Sequence, residues 1–250
     1  MDTMVSVAMA VYNGEKYIKE QLDSIIVQLQ NNDELIISYD NSTDNTWNII
    51  NTYASNDSRI KVVVNQGKGV VRNFENAIHH CQGKYIFFAD QDDVWMKEKV
   101  EIVLEAFKDP KVTTVIHDAC LTDEALNVIH PSTFVIRNGS PNVIHNFLRL
   151  SYIGCCLAFR SELKEIILPI PTVSRSHDWW TGTICSIFGK MVMIDKVLIY
   201  HRQHGNNATP KTRSPIHYQI NVRWIIMMNA IKRCFKFREL LIRKLRGSKK

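Results

Sequence analysis

Residues 85–93 read Tyr85-Ile86-Phe87-Phe88-Ala89-Asp90-Gln91-Asp92-Asp93. The five residues from Tyr85 to Ala89 are too short for a helix and rich in aromatic side chains, so they read as a strand. That strand ends in three carboxylates within four positions. Carboxylates so close repel one another unless a hard cation or a ring of donors compensates. A Mg²⁺ or Mn²⁺ ion does this by taking one or two carboxylates together with phosphate oxygens of a substrate. The same residues also suit a solvated acidic turn before a helix that starts near Lys97, whose dipole favours negative charge. The stretch alone leaves both readings open.

Further out, the same kind of strand recurs. Val5–Val11, Leu35–Tyr39, Ile60–Val64 and Thr114–His117 are short and β-branched. Between the strands, Lys16–Leu29, Thr46–Ala54, Val70–Cys81 and Lys97–Phe107 carry apolar residues at three- and four-residue steps, as in Ile18, Leu22, Ile25, Ile26 and Leu29. Such alternation predicts an α/β domain with a parallel sheet wrapped by helices. In an open sheet of this kind, ligands bind at the carboxyl ends of the strands. Val11-Tyr12-Asn13-Gly14, Asp40-Asn41-Ser42-Thr43-Asp44 and Asp90-Gln91-Asp92-Asp93 then converge on one edge. In the second cluster, Ser42 or Thr43 suits the cap of the following helix, with Asp44 in its first turn. Asp40 is also placed to accept a hydrogen bond from a pyrimidine imide N–H.

The 250 residues, 45% of them hydrophobic, suit one enzyme-sized domain with a terminal extension and exclude disorder over the whole chain. The formal charge of +6 serves phosphates, anionic lipid or nucleic acid alike. Cys81, Cys120, Cys155, Cys156, Cys185 and Cys234 show no C-x-x-C spacing, which points to a reduced, cytoplasmic setting. No basic leader precedes Val5, and no run reaches the ~18 to 20 apolar residues that span a bilayer.

The expected division is a domain over residues 1–210 and a basic helical tail over 211–250. In the tail, Lys232, Arg233, Lys236, Arg238, Arg243, Lys244, Arg246, Lys249 and Lys250 face only Glu239. Phe235, Phe237, Leu240, Leu241, Ile242 and Leu245 are interleaved with them. Such a segment suits an anionic membrane surface, or a helix packed on the domain with a solvated basic face. No nucleic-acid motif accompanies it, so nucleic acid is not an expected partner.

The set of motifs, taken in order, resembles a family 2 glycosyltransferase of GT-A fold. The matching pieces are Val5 to Gly14, Asp40 to Asp44, Arg72-Asn73-Phe74-Glu75, Gly83-Lys84-Tyr85, Asp90 to Trp95, Gly154-Cys155, His177-Asp178-Trp179-Trp180 and Tyr200 to Asn207. Asp-Gln-Asp-Asp-Val-Trp and His-Asp-Trp-Trp are similar to the rhamnosyltransferase-like branch in particular. The resemblance implies a Rossmann-like, mixed nucleotide-binding sheet flanked by helices. It further implies metal-dependent, inverting transfer of a sugar from a nucleoside diphosphate to a hydroxyl of a growing cell-surface glycan on a lipid carrier. The protein would then lie peripherally on the inner face of the membrane. The donor it favours is dTDP-L-rhamnose, with a UDP-hexose as the alternative.

Carried over by position, the resemblance places Val11, Tyr12 and Asn13 at the donor, Asp40 on the base, Arg72 near the diphosphate, and Asp90 and Gln91 facing ribose and phosphate. Asp92 and His204 would hold Mn²⁺ or Mg²⁺, with His201 a weaker candidate than His204. Asp178 matches the general base. An inverting displacement needs only one such carboxylate, because the acceptor hydroxyl loses its proton as the new bond forms. Without the resemblance, Asp178 reads as an N-cap of the helix that follows. Trp179 and Trp180 suit either the core or stacking against an acceptor sugar. Gly154 reads as a tight turn into a buried strand through Phe159. Tyr39 stands where the family often has an acid and Asn41 where it has glycine, so base or sugar preference is open to change. Two other classes remain: a non-catalytic nucleotide-binding scaffold, and a nucleotidyltransferase, which releases pyrophosphate instead of a nucleoside diphosphate.

Overall fold

The computed structural model describes residues 5–148, 153–171, 177–205, 207 and 215–247. Four strands, β1 (Val5–Val11), β2 (Glu34–Tyr39), β3 (Ile60–Val64) and β4 (Tyr85–Asp90), alternate with helices α1 (Ile18–Ile26), α2 (Thr46–Asn56) and α3 (Val70–His80). Every residue of β1 and β2 is buried, which requires cover on both faces of the sheet. β1 lies between β2 and β4, β3 extends the edge beyond β2, and all three pairings are parallel. α1 turns Ile18, Leu22 and Ile25 inward at helical spacing. In this half the alternation of apolar runs translates directly into architecture.

Beyond β4 the chain adds β5 (Val94–Trp95), α4 (Lys99–Ala106), β6 (Val112–Thr122), β7 (Val128–His130), α5 (Thr133–Arg137) and α6 (Val143–Leu148). There follow β8 (Leu157–Arg160), α7 (Lys164–Ile167), α8 (His177–Phe188) and β9 (Lys190–Arg202). The sheet order is β3-β2-β1-β4-β8-β6-β9-β5, with β7 on β6. β8 runs antiparallel to both β4 and β6, whereas β6 and β9 are parallel. The sheet is therefore mixed, as the family resemblance implies. Alternation by itself pointed to a parallel sheet, and that holds from β3 to β4 and again between β6 and β9, with antiparallel β8 between them. As expected of Gly154, a turn at Gly154–Cys156 enters the buried strand β8.

The C-terminal extension forms α9 (Ile216–Lys236) and α10 (Arg238–Gly247). Val222, Ile226 and Ala230 of α9 are buried and join the same core as β1 and α8. Arg223 donates to the Phe147 carbonyl at 3.3 Å and Arg233 to the Pro169 carbonyl at 2.8 Å. Their guanidinium groups lie 5.6 Å from the Trp179 ring centre and 5.9 Å from that of Trp180. This corrects the acceptor reading of Trp180, which is 0% exposed and donates its indole N–H to the Ile167 carbonyl at 2.7 Å. Its ring is core, with no face left for a sugar. Trp179 is buried as well and lies under Arg223.

Candidate active site

The loops after β1, β2 and β4 meet as expected, held to one another mainly by amide and hydroxyl hydrogen bonds. Two carboxylate bonds join them, from the Glu15 N–H to Asp44 at 3.1 Å and from the Asn45 N–H to Glu15 at 2.6 Å. Asn13, at φ 48°, donates its backbone N–H to Ser42 Oγ at 3.0 Å and accepts the Thr43 N–H on Oδ1 at 2.8 Å. The Gln91 amide spans the Tyr12 backbone, accepting its N–H at 2.9 Å and donating to its carbonyl at 2.8 Å. A Cβ on Gly14 would come within 2.5 Å of Gln91 Oε1, so only glycine admits this clamp. Gln91 thus shapes the Tyr12 loop, and a direct contact from its amide to ribose is not the arrangement seen. The Val11 side chain is 0% exposed, and its carbonyl accepts from the Asp40 N–H at 2.8 Å and Asn73 Nδ2 at 3.0 Å. Val11 therefore supports the donor loop from beneath, a correction to its placement as a donor contact.

Tyr12, 53% exposed, stands at the rim. The Asp40 carboxylate accepts the Asn41 N–H at 3.1 Å and the Gly69 N–H at 3.2 Å. Tyr39 turns its hydroxyl to the Ser42 N–H at 3.0 Å and packs its ring on Trp47. The N-cap of α2 is Asn45, which makes no side-chain cap bond, and not Ser42 or Thr43; Asp44, one residue earlier, accepts from Thr46 N at 3.1 Å and Thr46 Oγ1 at 2.5 Å. Arg72 bonds Glu75 at 2.5 Å and the Ile170 carbonyl at 3.2 Å, on the wall of an open cavity of about 410 Å³ shared with Asn65 and Gly67.

Opposite this neutral corner lies a charged one. Asp92 Oδ2 sits 2.7 Å from His204 Nε2, and the Asn207 amide reaches the same oxygen at 3.4 Å. The His204 ring packs on Tyr17 with centres 4.8 Å apart. Asp93 is 0% exposed; its Oδ1 accepts the Arg202 backbone N–H at 3.0 Å and lies 3.0 Å from His201 Nδ1. Cys155 Sγ is 3.8 Å from the same nitrogen. The buried Arg202 guanidinium donates to the Asp92 carbonyl at 2.9 Å, to the Glu124 carbonyl at 2.5 Å and to Glu20 at 2.5 Å. One arginine thereby ties the acidic loop to α1 and to the β6–β7 hairpin.

The charges of this corner are unequal. Burial, then the Asp93 and Asp92 carboxylates, hold the Asp90 carboxyl well above the ordinary range. Burial and Asp93 raise Asp92 in the same way, against the pull of His204. Burial acts to raise Asp93 as well, but the charge and hydrogen bond of His201 outweigh it and its pKa is lowered. His201 is raised correspondingly, Asp93 overcoming the opposite effect of burial. Asp93 and His201 therefore balance each other, while Asp90 and Asp92 lack a full counter-charge, so their ionised forms are disfavoured unless a cation joins them. The buried Asp93 Oδ2 has no hydrogen-bond partner among the described residues. Carboxylate oxygens with one imidazole form a donor set that fits Mg²⁺ or Mn²⁺, and Asp92 with His204 are the two side chains already converging. Asp93, Cys155 and His201 also bring ligand atoms within 4.8 Å of one another.

Asp178 opens α8, where its Oδ1 accepts the Trp179 N–H at 2.7 Å. Burial lifts its carboxyl to about 6, against the Trp179 N–H, the charge of Arg137 and the Gly154 N–H. A Cβ on Gly154 would lie 2.6 Å from His177 Nε2 and 3.3 Å from Asp178 Cβ, so the turn must be glycine for α8 to approach this closely. His177 stacks on Phe74 with centres 3.6 Å apart, and burial lowers it to about 3, which keeps it neutral. Gly154 touches the Asp178 end and the next residue, Cys155, touches His201, so one turn spans the base candidate and the acidic loop. In sequence Asp93 figures only as a member of the acidic cluster, Arg202, Glu20 and Tyr17 carry no assigned role, and His201 stands below His204. The available signal was sign complementarity between Asp90 to Asp93 and His201-Arg202-Gln203-His204.

The family model for Glycosyl transferase family 2 matches residues 6–166. WfaP of Escherichia coli, a UDP-Glc:alpha-D-GlcNAc-diphosphoundecaprenol beta-1,3-glucosyltransferase, is 36% identical over 94% of this chain and 98% of its own length. The dTDP-rhamnosyl transferase RfbG of Shigella flexneri is 31% identical over 80% of this chain and 72% of its own. Three other curated relatives align over only 40–42% of their length. Among solved structures, S. aureus TarS 1-349 in complex with UDP-GlcNAc matches with a TM-score of 0.71 at 18% identity, covering 94% of this chain and 73% of that one. That likeness is one of fold, the mixed sheet flanked by helices of the GT-A glycosyltransferases. Matched through the strands that gather the three polar loops, and related to one member along almost its whole length, this chain belongs to glycosyl transferase family 2.

Proposed function

We propose that this enzyme transfers a hexose from a UDP-sugar, with inversion and with Mn²⁺ or Mg²⁺ as cofactor, to a hydroxyl of a growing lipid-linked cell-surface glycan. One observation carries the reading: Asp178, with its carboxyl lifted to about 6, lies at one end of the Gly154–Cys155 turn, and the other end touches the Asp93–His201 pair of the loop that also holds Asp92 and His204 together. Asp40 accepts the imide N–H of the base, which uracil and thymine share. Asp92 and His204 hold the cation, whose charge offsets that on the departing diphosphate. Asp178 takes the proton of the acceptor hydroxyl as its oxygen bonds to the anomeric carbon and the bond to the diphosphate breaks. At neutral pH a carboxyl of this pKa is ionised yet basic enough for that task. The acceptor is met at the inner face of the membrane, where the protein lies peripherally; among the described residues no helix is long and apolar enough to cross.

The UDP-hexose reading moves ahead of dTDP-rhamnose because WfaP matches at higher identity and over more of the chain than RfbG. RfbG keeps dTDP-L-rhamnose as the second reading. A thermal-shift panel of UDP, UDP-glucose, dTDP and dTDP-rhamnose, each with and without Mn²⁺, tests both, since ligands that bind only the folded state raise its stability. The expected result is a Mn²⁺-dependent shift, larger for the uridine ligands, that disappears in Asp92→Ala. A larger shift with the thymidine ligands moves the donor to rhamnose. No shift with any nucleotide would discard the enzyme reading.

A further inference from the structure

α9 has two faces, and only one is accounted for by packing. Val222, Ile226 and Ala230 enter the core. On the opposite side Ile216, Ile220, Trp224, Met228, Ile231 and Phe235 recur at steps of three and four and are exposed, Ile216 at 69%, Trp224 at 57% and Phe235 at 76%. At 3.6 residues per turn these six fall within an arc of about 120°, forming a stripe roughly 28 Å long. A continuous exposed apolar stripe of this kind marks a surface that meets a partner. The helix contains no Asp or Glu, and exposed Lys232, Lys236 and Arg238 border the stripe at its C-terminal end. Exposed Leu240 and Ile242 of α10 continue the apolar character.

We propose that this outward face of α9 docks on an anionic phospholipid surface and holds the Asp178 end of the site beside it. The occupant follows from charge. Two copies of the stripe packed in parallel bring Lys232, Lys236 and Arg238 of both chains together with no acidic residue of α9 to oppose them, and packed antiparallel they leave those cations without a counter-charge from α9. A bilayer rich in anionic headgroups takes the apolar stripe and attracts the bordering cations at once, by about 1 kcal/mol per cation near the surface. Trp224, midway along the stripe, is the residue type that settles at headgroup depth. Orientation follows from packing. Arg223, next to Trp224, lies over the ring of Trp179, which adjoins Asp178. Seating α9 on lipid therefore leaves the base candidate about one helix diameter, ~10 Å, from the surface. The meaning for catalysis rests on the lipid-linked acceptor proposed above, but the docking itself does not.

The test is co-sedimentation of the full chain with vesicles of phosphatidylcholine alone or mixed with phosphatidylglycerol, followed by Trp224 fluorescence read against Trp224→Phe. Binding to the phosphatidylglycerol vesicles that weakens with salt, with a blue-shifted Trp224, is expected. The triple variant Ile220→Ser/Trp224→Ser/Phe235→Ser and the charge reversal Lys232→Glu/Lys236→Glu should each bind about tenfold more weakly or less. Each should keep the wild-type thermal transition, which separates loss of docking from loss of fold. Wild-type protein that stays in the supernatant overturns the proposal, as does undiminished binding by the triple variant. A salt-stable dimer that the triple variant breaks does so too, by assigning the stripe to a second copy. Vesicle binding without any nucleotide-induced thermal shift would sink the transferase reading and leave the docking surface standing.

Discussion

The two corners of the site are built on different physics. Around Tyr12, Asn13, Ser42 and Gln91 the loops hold one another through neutral amides and hydroxyls. Around Asp92, Asp93, His201, Arg202 and His204 they are held by carboxyl, imidazole and guanidinium groups, several of them buried. A neutral network keeps its strength across pH and salt, whereas a buried charged one depends on every partner being present. The donor corner thus serves as a preformed cradle, and the other corner holds two carboxyls, Asp90 and Asp92, that lack a full counter-charge. Asp178, on a separate helix, is near enough for its charge to act on Asp90.

The largest effect expected lies at Asp178. Replacing it with Asn should lower turnover by on the order of 10²–10⁴-fold, because only the proton acceptor is lost. UDP affinity in Mn²⁺ should be unchanged by calorimetry. The melting temperature should hold or rise, since burial disfavours this carboxylate in the folded state. Near wild-type turnover in Asp178→Asn would remove the base assignment. The wild-type profile carries the same information at smaller amplitude. With the carboxyl at about 6, the ionised fraction falls as pH drops, so turnover should decline about tenfold per unit below that value. A profile flat down to pH 4.5 would place the proton elsewhere.

Next comes the buried pair. His201→Leu leaves Asp93, 0% exposed, without its counter-charge, and should cost about 3–5 kcal/mol in denaturant unfolding. Asp93→Leu/His201→Leu should recover part of that loss, because the uncompensated carboxylate is gone as well. If the double variant is simply the sum of the two single ones, Asp93 and His201 are not a balancing pair and the contrast between the corners fails.

The contrast also explains what was legible in sequence. β1 to β4 and their helices announce themselves by local period, since each strand is a short apolar run followed by its own loop residues. The polar clusters after β1, β2 and β4 were placed for the same reason: in a parallel sheet they have nowhere else to go. β9 gave no such signal. It is 13 residues long, half-exposed, carries Asp195 and Lys196 within it, and shifts register against β6. Its pairing is decided by contacts with β6, far away in sequence, and so are the positions of His201 and Arg202. Gln91 also braces its neighbouring loop, a contact whose signal was only the absence of a side chain at Gly14. Trp180 was ambiguous because the helix covering it, α9, lies beyond the next strand and packs by long-range contact.

The smallest effect tests the neutral corner. Asn13 combines a left-handed backbone with an amide oxygen that accepts the Thr43 N–H at 2.8 Å. Asn13→Gly keeps the backbone comfortable and loses only the side-chain bond, about 1 kcal/mol. Asn13→Ala loses the bond and strains the backbone, about 2 kcal/mol in total. Because no charge is involved, both losses should be the same at pH 6 and 8 and at low and high salt, measured by urea unfolding. The Mn²⁺-dependent UDP shift should shrink in parallel, as the loop loses its hold on the β2 side. A loss that varied with pH would mean that the two corners are electrostatically coupled, and the donor cradle would then have to be treated as part of the charged network instead of a neutral frame beside it.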